Sequence, residues 1–128
     1  AEPFHVARLV AVMAEDCGEC VQIEVNLAAR DGVPGSILQS VIDMRPSDLP
    51  DELGDVYLFA ECITQNSGDV ETLRAKMRSR YGERGVFELS LAIALARTFP
   101  IIKRGMGYAQ VCDRKGIRIP NTAAPASE

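Results

Sequence analysis

Apolar residues recur along this chain at intervals of three and four, and the pattern is helical nearly throughout. Residues 5–14 read as a short apolar helix, with Pro3 just ahead of it as a start signal. Asp16 reads as an N-cap, its carboxylate able to accept a hydrogen bond from an orphan N–H of the next turn. A second helix runs from about Cys17 to Arg30, with Val21, Val25 and Ala28 on one face. Asp31-Gly32 ends it, Gly32 being suited to the left-handed C-cap position. Pro34 opens a third, short helix whose apolar set is Ile37, Leu38, Val41 and Ile42.

Residues 45–50, with Pro46 and Pro50, make the one clear loop. A fourth helix starts near Asp51 and is expected to turn Val56, Leu58, Phe59 and Ile63 inward. After a turn at Asn66-Ser67-Gly68, Asp69 can cap a fifth helix over 70–81, followed by Gly82. The longest helix begins near Glu83 and runs through Leu89, Leu91, Ile93, Leu95 and Phe99. Pro100 must bend or end it, because proline removes a backbone donor and clashes one turn back. Residues 101–111 read as a further helical piece, weakened by Gly105 and Gly107. Residues 21–25 and 117–119 alternate briefly, without a partner run or hairpin turn. The expected fold class is therefore all-α, a helical bundle in one domain over 1–118, with a disordered tail over 119–128.

At 128 residues the chain can bury about two thirds of its unfolded surface and needs no staples to fold. Trp is absent and aromatics are sparse, so the core must be aliphatic. A net charge of −4 argues against nonspecific nucleic-acid binding, which depends on neutralising phosphates. No apolar run stands out as long enough to cross a bilayer. The start has neither a basic segment nor a small-residue cleavage signal, so the expected location is cytoplasmic.

Cys17-Gly18-Glu19-Cys20 is the feature with chemical meaning. Two thiols three apart can meet across one helical turn, and Glu24 lies four residues beyond Cys20 on the same face. Cys62 and Cys112 sit singly in apolar segments and read as buried reduced thiols. A helix N-terminus favours the thiolate, which is the nucleophile. Glu15, Asp16, Glu19 and Glu24 oppose this, because nearby anions disfavour ionisation. The expectation is a neutral thiol activated during reaction by a base. Glu24 is the local candidate, and His5, the lone histidine, is the other, reachable only if the first helix folds back over the second. The competing reading is that both cysteines simply pack in a helix interface. A zinc site needs four ligands, usually in two close pairs, and only one pair is present. A thioredoxin-like site needs an alternating β/α pattern, which this chain lacks.

The segment Glu15-Asp16-Cys17-Gly18-Glu19-Cys20, then a helix, then Ala29-Arg30-Asp31-Gly32-Val33-Pro34, resembles the core of the AhpD-like superfamily, the alkylhydroperoxidase and carboxymuconolactone decarboxylase group. The stretch from Glu83 to Ala94 resembles that group's long C-terminal helix. The resemblance implies an all-helical fold assembled as a trimer or hexamer. It also implies that Cys20 attacks peroxide, that Cys17 resolves the sulfenic acid as a disulfide, and that a Glu–His pair relays the proton. Here the two relay types stand interchanged: Glu24 occupies the position of the family's His, and His5, on an ungapped count, that of its Glu. If the first two helices pack antiparallel, His5 and Glu24 are expected to meet near Cys20.

The basic run Arg74, Lys76, Arg78, Arg80 and Arg84 reads as a solvated face with local ion pairs. Lys103 and Arg104, near a helix end, most simply complement its dipole. The functional expectation is a thiol-dependent peroxidase or disulfide oxidoreductase with catalytic Cys20, Cys17, Glu24 and His5. It uses no cofactor and no metal. Its partners are a hydroperoxide substrate and a dithiol protein or low-molecular-weight thiol as reductant, without nucleic acid or membrane, in a homo-oligomer. The alternatives are a non-catalytic helical oligomeric module and a carboxymuconolactone-decarboxylase-like enzyme. The paired thiols count against the second of these.

Overall fold

The computed structural model describes residues 1–108 and 116–120. Among them the fold is all-α, with no strand. The helices are α1 (Glu2–Met13), α2 (Gly18–Arg30), α3 (Gly35–Ile42), α4 (Asp51–Gln65), α5 (Val70–Ala96) and α6 (Thr98–Gly105), with a 3-10 turn at Pro46–Asp48.

Helix α1 is the centre. It packs against α2, α3, α4 and α5, and every residue from His5 to Val12 except Arg8 is buried. That is why its sequence is apolar nearly all round, a pattern that requires cover on every side. Helix α2 runs antiparallel to α1: His5 pairs with Asp31, and Arg8, one turn on, pairs with Glu24, further back along α2. The end of α2 is a Schellman motif. Val33 N–H reaches the Ala28 carbonyl at 3.0 Å and Gly32 N–H reaches Ala29 at 3.1 Å, with Gly32 at φ 91°.

Asp69 caps α5 as expected, accepting from the Thr72 N–H at 3.2 Å. Helix α5 is two helices joined at a kink. Gly82, at φ 73° and ψ 177°, breaks the helical backbone between the segments expected before and after it. Arg97 ends α5, and Pro100 lies in the first turn of α6 rather than inside a continuous helix. Expectations for 109–111 and for Cys112 lie outside the described residues. Ile117 and Ile119 pack against the core, and the expected tail lies outside the described residues beyond Pro120.

Three sequence expectations need correction. Leu58 is exposed; Val56 and Phe59 are buried and Ile63 partly buried as expected, with Tyr57 and Ala60 completing the inward face of α4. Asp16 is not the cap of α2. It takes a left-handed conformation (φ 57°) that turns the chain, and Cys17 occupies the cap position. The stretch Val70–Gly105 does contain a helical window of mean hydropathy 1.6, long and apolar enough to cross a membrane by length and composition, with a third of it buried inside the protein. The outward face of this stretch carries Phe87, Leu91, Leu95 and Phe99, all exposed.

A side chain at Gly82 meets no neighbouring atom, so only the backbone resists one. Its φ/ψ region is essentially reserved for glycine. Gly82→Ala is expected to lower the unfolding free energy by about 1–3 kcal/mol in urea melts. Gly105→Ala, with open space and no positive φ, should cost nothing; equal stability of both variants with the parent would mean the break is not required.

Candidate redox site

Cys17 and Cys20 are joined as a disulfide, with Cα atoms 5.3 Å apart, inside the usual range. Cys17 caps α2 with extended backbone, and Cys20 lies in the first turn, so the helix start folds one sulfur back onto the other. The pair is deeply set: Cys17 has no exposed surface and Cys20 is 7% exposed.

Glu24 stands one turn beyond Cys20 and is buried. A lone helix carboxylate is usually solvated; this one survives burial because Arg8 grips it twice. Arg8 Nε donates to Oε2 at 3.0 Å and Nη2 to Oε1 at 2.6 Å. Arg8 also lies over the Phe4 ring, 5.5 Å from its centroid. His5 is buried too, but at the other end of the seam. Its Nε2 is 2.7 Å from Asp31 Oδ2, and its Nδ1 is buried without a hydrogen-bond partner. Asp31 is eleven residues past Cys20 on α2, a rise of roughly 16 Å. The antiparallel packing on which the Glu–His meeting depended is present, yet His5 and Glu24 are not partnered with each other. Arg8 takes Glu24, and Asp31 takes His5.

The sequence reading missed the cations around the turn between α1 and α2. Glu15 is 4% exposed and is held by two arginines: Arg97 Nε at 2.5 Å from Oε2 and Arg104 Nη2 at 2.6 Å from Oε1. Arg104 Nη1 also donates to the Glu15 carbonyl at 2.7 Å. Lys103 reaches Glu19 at 2.6 Å. Lys103 and Arg104 therefore act on this turn rather than only on their own helix dipole. A local signal existed in the four acids flanking the thiols, which need countercharge once buried. Nothing in the sequence says that residues more than eighty positions away supply it.

Burial pushes the Glu15 carboxyl up, but hydrogen bonds and charge from Arg104 and Arg97 outweigh it and hold the group below its ordinary value of 4.5. Cys62 is free but only partly buried, not buried as expected; what burial it has pushes its thiol up, and the charges of Glu61 and Asp69 add to this, so it is a poor nucleophile. Among the described residues no group of three or more His, Cys, Asp or Glu could hold a metal ion. A cavity of about 510 Å³ opens between the start of α1 and α5, lined by Pro3, Phe4, Tyr81 and Leu89 among others, and neither Cys17 nor Cys20 lines it.

The fold and the site define an all-α protein carrying a buried CxxC disulfide at a helix N-terminus. Comparison with protein-family models, with curated proteins and with solved structures finds no match for this chain.

Two outcomes test the charge arrangement. Because the Glu15 carboxyl is depressed in the folded state, its contribution to stability is present above pH 4.5 and is lost as pH falls through the lower folded value. Denaturant midpoints taken from neutral to acid pH should therefore fall less in Glu15→Gln than in the parent. Arg8→Ala leaves the Glu24 carboxylate buried and unpaired, and is expected to cost about 3 kcal/mol in urea unfolding. Replacing both partners, in Arg8→Met with Glu24→Leu, should recover much of that loss, because no unpaired charge is left buried; a cost equal to or above that of Arg8→Ala would show that an unpaired carboxylate is not the source of the loss.

Proposed function

We propose that this protein is a thiol-dependent peroxidase or disulfide oxidoreductase of the AhpD-like type, working through Cys17 and Cys20. The observation that carries the reading is the disulfide itself, set at a helix start with a buried carboxylate one turn away. In the reduced protein the Cys20 thiol, the more accessible of the two, loses its proton to Glu24. Each Glu24 oxygen has a second lone pair beyond its bond to Arg8, so the carboxylate can accept while it is held in place. The Cys20 thiolate attacks the terminal peroxide oxygen, the O–O bond breaks, and the alkoxide leaves as alcohol with that proton. Cys17 then attacks the Cys20 sulfenic acid, releasing water and closing the disulfide. A dithiol protein or two equivalents of a small thiol supply the two electrons that reopen it.

His5, paired with Asp31, stands apart from this step in the reading we favour, and proton handling falls to Glu24 with Arg8 as its positioning residue. The same reading includes several copies of the chain in one assembly. The exposed stripe Phe87, Leu91 and Leu95, on a helix whose opposite face is already buried, supports it. One specific observation favours a second reading, in which the disulfide is an inert staple of a helical module. Cys17 is wholly buried, as a structural sulfur would be.

Following thiol loss after adding an alkyl hydroperoxide to the reduced protein separates the two. The oxidoreductase reading expects rapid loss of two thiols, no comparable peroxide consumption in Cys20→Ser, and a rate lowered roughly a hundredfold in Glu24→Gln. If Cys20→Ser consumes peroxide as fast as the parent, the mechanism is wrong; if folded parent thiols stay unreactive, the staple reading stands.

A further inference from the structure

Any thiol that reduces Cys17–Cys20 must bring its sulfur onto one of two sulfurs that are almost completely covered. Something must move first, and the surrounding elements differ in what movement costs them. Helix α1 is the core of the bundle, and α2 buries Val21, Val25 and Ala28 against it. Helix α6 is different. Its only buried residue is Pro100, while Phe99, Ile101 and Ile102 all face solvent. Its hold on the redox turn is through long charged side chains: Lys103 to Glu19, and Arg104 to both the carboxylate and the carbonyl of Glu15, with Arg97 at the hinge to the same carboxylate. A segment with few buried apolar contacts loses little burial on opening, and Arg97 remains on the buried Glu15 carboxylate when Arg104 leaves it. The attachments span residues 15 and 19, on either side of Cys17.

We propose that α6 is an electrostatic latch over the redox turn, and that release of Lys103 and Arg104 from Glu19 and Glu15 is what admits a reducing thiol to the disulfide. This rests on the redox reading above and adds its control. With the latch open, the incoming thiolate attacks Cys20 Sγ, the S–S bond breaks, and Cys17 leaves as a thiolate that takes up a proton. The reductant's second thiol then attacks its own sulfur in the mixed disulfide, releasing Cys20 and leaving the reductant oxidised. Lys103 and Arg104 touch none of the reacting atoms; they position the turn. Lys103 and Glu19 both keep exposed surface (25% and 56%), so salt reaches that pair, while Arg104 is 52% exposed but its partner Glu15 only 4%, so that pair is screened less.

The test is the rate at which dithiothreitol reduces the disulfide in the folded full chain, read by thiol titration. Lys103→Gln with Arg104→Gln is expected to speed reduction by roughly five- to tenfold at low salt. The parent rate should rise toward that of the variant between about 0.02 and 0.5 M salt, while the variant stays flat. Glu19→Lys alone should be fast, and Glu19→Lys combined with Lys103→Glu should be slow again. That rescue separates a latch from a general loss of stability. Equal rates in parent and double variant, a parent rate indifferent to salt, or no rescue by the charge swap overturns the latch. The readout needs no peroxide, so an active peroxidase can lose the latch and a protein that consumes no peroxide can still show it.

Discussion

Charges taken out of water must be paired, and along the seam between α1 and α2 that requirement sets the geometry of everything else. Arg8 is the one residue between His5 and Val12 that is not buried, and its guanidinium is spent on Glu24. His5 answers Asp31 one turn away. These two contacts mark the register in which α2 lies against α1. The register in turn decides that the disulfide sits at one end of the seam and the imidazole at the other. A carboxylate as buried as Glu24 cannot be left without a partner, so the site cannot be rearranged without breaking the pair that holds the helices together.

The same rule reverses the electrostatic picture of the thiols. Taken along the chain, Glu15, Asp16, Glu19 and Glu24 crowd the pair with negative charge. In the folded protein Glu15 meets Arg97 and Arg104, Glu19 meets Lys103, and Glu24 meets Arg8. The turn that carries the sulfurs is thus close to charge-balanced, through groups drawn from α1, the end of α5 and α6. Balance by long side chains also explains how a buried turn remains attached to a helix that buries almost nothing of its own.

Legibility differed by range. The cap at Asp69, the stop at Gly32 and the break at Gly82 were readable because each depends on a few neighbouring residues and a backbone preference. The cap at Asp16 was misread for the same local reason. Its side chain suits a cap, but the chain needed a left-handed turn there, and Asp is among the few residues that take one. Leu58 was misassigned because it is apolar like Val56 and Phe59 yet falls outside the stripe that they share with Tyr57 and Ala60. Of the site, the two sulfurs and the carboxylate one turn away were visible as spacing on a single helix. The partners Arg8, Arg97, Lys103 and Arg104 were not, since no local pattern distinguishes an arginine that reaches a buried acid from one that faces water.

By itself, then, the sequence determined the helices, most of their ends, and the adjacency of Cys17, Cys20 and Glu24, because these follow from hydrogen bonds and spacings within a turn or two of chain. Only the tertiary structure decided that Arg8 rather than His5 faces Glu24, and that Lys103 and Arg104 of α6 reach the acids beside the sulfurs. Those choices depend on which charges the packed helices bring within reach of each other, a free energy set by burial and distance in three dimensions rather than by position along the chain.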